Sequence, residues 1–225
     1  VRDVVVNETM QADRFAELDV ELDDALSAQL AAFARQERVT VNTLVQAAWA
    51  LLLQHHTLQD TVVFGATVAG RPADLSGAEE LIGLFINTMP VIASPRASMR
   101  VGDWLRTMQA QALASREHEH TPLNRIQHWA GSAGQALFDS LVVFENYPVD
   151  AALKQASSDG LSFGPLLNRE ETNYALTISV SHAQTLRFRY GYQKTALTGE
   201  AVAGLATRFN GLLRAFIDDS SRALG

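Results

Sequence analysis

Ile82-Gly83-Leu84-Phe85-Ile86-Asn87-Thr88-Met89-Pro90 is the stretch on which the reading of this chain turns. A glycine precedes an apolar Leu-Phe-Ile run, an Asn-Thr pair follows, and Pro90 stops what comes before. The pattern reads as an irregular entry into a strand, with a buried apolar run and one polar pair inside it. Buried Asn and Thr side chains must find hydrogen-bond partners or cost roughly 1–3 kcal/mol each. Side chains held in that way fix a loop or line a pocket, and the stretch alone leaves both roles open.

Before this stretch, Val4 to Glu8 and Phe15 to Val20 read as short strands. Asp23 and Asp24 place negative charge at a helix start, and Leu26, Leu30 and Phe33 form its apolar stripe. Thr40 is a cap for a second helix, with Leu44, Val45, Ala48, Leu52 and Leu53 as a wide apolar face that runs out near His55-His56. Thr61 to Val68 is nearly continuous in apolar content, as expected for a strand covered on both sides.

After it, Met89 to Ala93 reads as a strand, and Val101, Trp104, Leu105 and Met108 mark a helix. Thr121-Pro122 starts a short helix with the cap at Thr121; Leu123, Ile126 and Trp129 are its buried face and Gly131 its stop. Phe138 to Phe144 is a dense apolar strand, and Leu161 to Phe163 a further short one. Two period-two strands follow, one with Tyr174, Leu176, Ile178 and Val180 on a face, the other with Leu186, Phe188, Tyr190 and Tyr192. The connection between them is His182-Ala183-Gln184, and a final helix carries Val202, Leu205, Phe209, Leu212, Phe216 and Ile217. The order of elements predicts an α/β fold, a mixed β-sheet covered by helices, and the absence of Gly-x-Gly-x-x-Gly argues against a nucleotide fold.

Composition narrows function. Of the 225 residues 47% are hydrophobic and the net charge is −7, with no basic cluster, which argues against nucleic acid and anionic membranes as partners. No apolar run reaches the ~18–20 residues of a membrane span. The lack of cysteine rules out disulfides and thiolate chemistry and fits a cytoplasmic protein. The opening Val1-Arg2-Asp3-Val4-Val5-Val6 has neither a start methionine nor signal-peptide features, so the chain is expected to be a piece of something longer.

His55-His56-Thr57-Leu58-Gln59-Asp60 could supply a general base and its orienter, or be exposed residues at a helix C-terminus, where the dipole favours partly cationic imidazoles. The bland reading is preferred. His118, His120 and His128 lack metal-ligand spacing, so no metal is expected. Asn87, Thr88, Ser140, Phe144 and Asn146 sit at predicted strand ends, where binding residues are often presented.

Taken in order, these pieces resemble the condensation domains of nonribosomal peptide synthetases, in the chloramphenicol-acetyltransferase-like superfamily. Gly70-Arg71-Pro72, Leu75-x-Gly77 and Ile82 to Thr88 resemble the family's fifth core motif, usually Gly-x-Phe-Val-Asn-Thr. Glu119-His120-Thr121-Pro122-Leu123 stands in place of the sixth, as a variant of His-Gln-Asp-Tyr-Pro-Phe, and Phe138 to Pro148 resembles the segment around and after the seventh. The likeness runs from about Leu26 to Ile217.

The resemblance implies a lobe of a two-lobed domain, with residues 1–225 as the C-terminal lobe and the N-terminal catalytic lobe outside this chain. It also rejects His55, His56 and Asp60 as the catalytic His-His-x-x-x-Asp-Gly, because Thr61 stands where glycine is required. No catalytic residue is then expected here. The implied reaction is amide formation between aminoacyl or peptidyl thioesters on carrier proteins, whose phosphopantetheine arms are brought by those partners rather than bound as a cofactor. The implied partners are the N-terminal lobe and the donor and acceptor carrier proteins. Asn146, then Ser140, with Phe144, Asn87 and Thr88, would line the substrate tunnel. Gly70, Arg71, Pro72 and Gly83 would belong to a floor loop, and part of Asn173 to Tyr192 to a latch crossing to the other lobe. An epimerisation domain on the same fold, and a non-catalytic docking module, are the alternatives.

Overall fold

The computed structural model describes residues 14–69, 77, 82–132, 134–145, 172–182 and 185–225. Val4 to Glu8, Leu161 to Phe163, Ala183-Gln184, Gly70 to Pro72 and Asn146 lie outside the described residues.

The elements follow from local chemistry. Strand β1 (Phe15–Glu21) leads to helix α1 (Asp24–Glu37), whose first turn is capped by Asp23 Oδ1 accepting from the Leu26 N–H at 2.7 Å. In α2 (Val41–Thr57), Thr40 Oγ1 accepts from the Thr43 N–H at 3.1 Å. Strands β2 (Val62–Val68) and β3 (Asn87–Ala93) precede α3 (Val101–Ser115). The first N–H groups of α3 have no side-chain cap; carbonyls of the C-terminal strap, Arg222 O and Ser220 O, accept from Val101 and Gly102 at 2.9 Å each. A 3₁₀ turn (Arg116–His118), α4 (Leu123–Trp129), β4 (Ser140–Glu145), β5 (Leu176–His182), β6 (Leu186–Gln193) and α5 (Gly199–Asp218) complete the chain.

The strands form one mixed sheet in the order β1-β6-β5-β4-β2-β3. The pairs β2–β4 and β4–β5 are parallel, and the others antiparallel. Period two then sorts the side chains. Leu176, Ile178 and Val180 of β5, and Leu186, Phe188, Tyr190 and Tyr192 of β6, point into the core beneath the helices, as their alternation predicts. Trp49 of α2 and Phe188 of β6 both meet Phe209 of α5 edge-on, at 6.4 and 5.4 Å between ring centroids. Helix α3 is fastened to the α1–α2 corner: Gln109 Oε1 accepts from Thr40 N–H and Thr43 Oγ1, and Arg106 reaches the buried Glu37 carboxylate at 2.8 Å.

Several expectations are corrected. Pro90 does not stop the preceding stretch; it lies inside β3, opposite Gly65. Among the described strands β3 is an edge, so a residue lacking an N–H is tolerated there. The run before β3 is not buried, since Ile82 and Leu84 are 104% and 90% exposed. Pro122, not Thr121, occupies the N-cap of α4, and Trp129 is exposed rather than buried. The strand expected from Phe138 starts at Ser140, and Tyr174 precedes β5; these two aromatics stack on each other instead, at 5.3 Å.

Two helices end on non-glycine residues in the left-handed region, Arg38 (φ 59°) and Leu58 (φ 55°). Left-handed geometry costs a side chain about 1–2 kcal/mol, and the added freedom of an unfolded glycine takes back about 0.5–1 kcal/mol. Leu58→Gly should therefore raise stability by about 0.5–1 kcal/mol in chemical denaturation. An unchanged or lower midpoint would show that Leu58 makes stabilising contacts despite its exposure.

Candidate functional site

The helices cover one face of the sheet. The opposite face is built from the alternate residues, and the strand register carries them into rows. One row runs Glu17, Gly191, Thr177, Leu141, Gly65, Pro90 across all six strands. Its neighbours place Asp19, Arg189, Ser179 and Val143 side by side, then Glu21, Arg187, Ser181 and Glu145. The face is thus charged at the β1–β6 end, hydroxyl-bearing along β5, and mainly apolar over β4 and β2, with Glu145 at the end of β4.

At the charged end, Arg189 Nε donates to Asp19 at 2.9 Å and Arg187 to Glu21 at 2.9 Å. A hydrogen bond from the Thr185 hydroxyl, then one from Arg187, holds the Glu21 carboxyl below its ordinary range. These exposed pairs contribute little to stability and set the polarity of the face.

At the apolar end lies a cleft of about 450 Å³, lined by Thr88, Phe138, Leu141, Tyr174 and neighbouring residues of the 136–139 and 172–175 segments. Gly65 makes room for its Phe138 wall, because a Cβ there would overlap the Phe138 ring and press on Leu141. Burial pushes the Tyr174 hydroxyl pKa up. Phe138, Tyr174 and Gly65 are missing from the site residues expected from sequence. A glycine in the middle of a β-branched strand is the signal that could have found this close approach.

The expected site residues separate. Thr88 lines the cleft on the open face. Asn87, one residue earlier, points the other way, and its amide donates to the carbonyls of Glu119 and Thr121 at 2.8 and 2.7 Å. It therefore ties β3 to the turn before α4. Ser140 is buried beneath the helices and accepts from Trp49 Nε1 at 3.1 Å. Phe144 shares that face and packs on the core. Neither Ser140 nor Phe144 meets the cleft. Gly83 precedes β3 in the exposed run, and the residues that would join it in a floor loop, like Asn146, lie outside the described residues. His55, His56 and Asp60 are exposed around the C-terminal end of α2. For His56 the expected cationic tendency is corrected: burial, then Arg208 and then His55, lower its pKa. Among the described residues no group of three His, Asp or Glu side chains is placed to hold a metal, and no helix is long and apolar enough to cross a membrane.

Residues 4–225 match the family described as Condensation domain. A linear gramicidin synthase of Brevibacillus parabrevis is 38% identical over 220 residues, which is 97% of this chain and 4% of the relative. The chain belongs to the condensation-domain family. Its fold is also that of a holo four-domain nonribosomal peptide synthetase bound to AMP and glycine (TM-score 0.81, 16% identity, 94% of this chain and 17% of that one). The condensation domain of the monacolin K polyketide synthase MokA shares it too (TM-score 0.78, 15% identity, 94% and 49%). The chain spans about half of that solved condensation-domain chain and a few per cent of its curated relative.

Two substitutions separate the roles assigned above. Ser140→Ala should cost about 1–2 kcal/mol of stability by leaving the Trp49 N–H unpaired in the core. A neutral effect on the melting transition would remove Ser140 from the core's hydrogen bonding. Asn87→Ala gives up two hydrogen bonds of about 1 kcal/mol each and should speed amide exchange selectively over residues 116–123. Uniform exchange across that turn would show that the tie is not made in solution.

Proposed function

We propose that this chain is the C-terminal lobe of a condensation domain, and that the complete domain forms amide bonds between carrier-bound aminoacyl or peptidyl thioesters in nonribosomal peptide synthesis. The observation that carries the reading is coverage. Nearly the whole chain matches the family, while it spans 49% of a solved condensation-domain chain.

In this reading the acceptor amine attacks the donor thioester carbonyl carbon. The carbon–nitrogen bond forms as the carbon–sulfur bond breaks, and the amine's proton ends on the departing thiol. The histidine that positions or deprotonates the amine, or stabilises the zwitterionic intermediate, comes from the N-terminal lobe. This lobe contributes a tunnel wall, and Asn146 follows directly on β4 as the polar residue assigned to it. The exposed Ile82 lies within the assigned floor loop, and Leu84 and Ile86 between it and β3, where they would pack on the other lobe. Donor and acceptor carrier proteins bring the phosphopantetheine arms, and the assembly works in the cytoplasm.

Three outcomes test this. The 225-residue chain alone should form no amide from two loaded carrier proteins, and turnover by it would overturn the missing-lobe reading. The isolated chain should self-associate through its exposed apolar run, with Ile82→Ser/Leu84→Ser reducing the sedimentation-detected association. In the complete domain, Asn146→Ala should lower turnover by about tenfold or more with the melting temperature unchanged. Unaltered turnover would make Asn146 a structural residue.

A further inference from the structure

We propose that the cleft over Gly65 is a selectivity pocket for one bulky apolar aminoacyl side chain, with Tyr174 as its specificity-determining residue. This rests on the reading of the chain as one wall of an amide-forming domain, and it names the class of substrate that the wall selects. The volume of about 450 Å³ lies toward the small end of the roughly 300–1,000 Å³ of ligand pockets, which suits a single amino-acid unit.

The lining decides the class. Phe138 and Leu141 are buried and apolar, and Tyr174 stacks on Phe138. Asp139 is the one charged side chain among the described lining residues, and it is exposed, so no buried charge waits there for an ionic partner. A charged substrate group in the cleft would be desolvated without compensation, whereas an apolar one gains by burial. Tyr174 adds a polar handle: its hydroxyl is partly desolvated and makes no hydrogen bond among the described residues. A carbonyl oxygen of the bound unit, accepting from that hydroxyl, satisfies it.

The walls are held in place before any ligand arrives. Gln193 Nε2 donates to Asn173 O at 3.1 Å and to Tyr174 O at 3.2 Å, and the Thr172 and Thr177 hydroxyls share a hydrogen bond of 2.6 Å. The Leu176 N–H donates to Asp139 O at 3.3 Å, which ties the 136–139 and 172–175 segments together. Such preorganisation lowers the ordering cost of binding. Thr88 fixes the cleft's location. It stands opposite Thr67, two residues along β2 from Gly65, so the cleft extends roughly 7 Å along that strand. Of the described tunnel candidates Thr88 is the one that opens on this face, which joins the cleft to the proposed tunnel wall.

The direct probe is N-acetyl-leucinamide, titrated by NMR into the 225-residue chain carrying Ile82→Ser/Leu84→Ser to keep it dispersed. Shifts should concentrate on the amides of Thr88, Tyr174 and Ala175. Affinity should weaken by about five- to tenfold in Tyr174→Phe, which keeps the ring stack and removes only the hydroxyl. The glycinamide and glutamic amide analogues should bind about tenfold more weakly or worse. In the complete domain, leucyl and glycyl units are compared on the donor carrier and then on the acceptor carrier. Ala136→Trp, at an exposed position of the lining, should lower the leucyl-to-glycyl ratio of kcat/KM by about tenfold or more in one series, and that series identifies the carrier whose unit enters. A ratio unmoved in both series overturns the proposal. So do equal binding of the three amides, an undiminished affinity in Tyr174→Phe, or no shifts at Thr88 and Tyr174. If the complete domain forms no amide while the leucinamide shifts and their dependence on Tyr174 persist, the pocket stands and the amide-forming reading falls.

Discussion

The burial of α2 is the constraint on which the rest of this structure depends. Trp49 is 1% exposed, donates its indole N–H to Ser140 of β4, and meets Phe209 of α5 edge-on. Around it Ala47, Ala48 and Ala50 are fully buried, and small side chains let α3, α5 and the sheet approach one helix together. A helix buried on so many sides must satisfy its neighbours' polar groups as well as its own. Trp104 of α3 accordingly points its indole N–H at Ala47 O, and Gln109 takes the hydroxyl of Thr43. The helical layer is thereby locked to one face of the sheet, and the other face is left to function.

That open face explains why the sheet's sequence is uneven. Strands β5 and β6 alternate cleanly because only one side is buried, whereas β2 and β4 carry apolar residues on both sides. The second apolar side is the Phe138–Tyr174 stack seated over Gly65, and beside it the cleft opens. The asymmetry runs across the face, from ion pairs at β1–β6 to aromatic surface at β4–β2. Such a gradient suits a surface that meets solvent at one end and another body at the other.

Asn87 shows how a family signature works physically. Its amide holds the Glu119 and Thr121 carbonyls, so the start of β3 and the turn before α4 are one hydrogen-bonded unit. These are two of the segments that carry the family resemblance. Thr88 next to it faces the cleft, because adjacent strand residues point to opposite faces. One position braces and the other lines, which reconciles the two roles that the bare sequence leaves open.

By itself the sequence determined what depends on local period and local chemistry. The helix start at Asp23-Asp24, the cap at Thr40, the buried stripes of α1, α2 and α5, the two alternating strands and the family motifs were all legible in it. Only the tertiary structure decided where polar side chains among apolar neighbours point. Ser140 and Thr88 both read as strand-end candidates, yet one is sealed under Trp49 and the other opens on the cleft. The buried look of Leu84 and Ile86 misled for the same reason. Hydrophobicity states that a residue prefers cover, but which body supplies it depends on contacts between segments far apart in the chain. Ser140 and Trp49 are 91 residues apart, and Asn87 reaches 32 and 34 residues ahead. No local pattern carries that information.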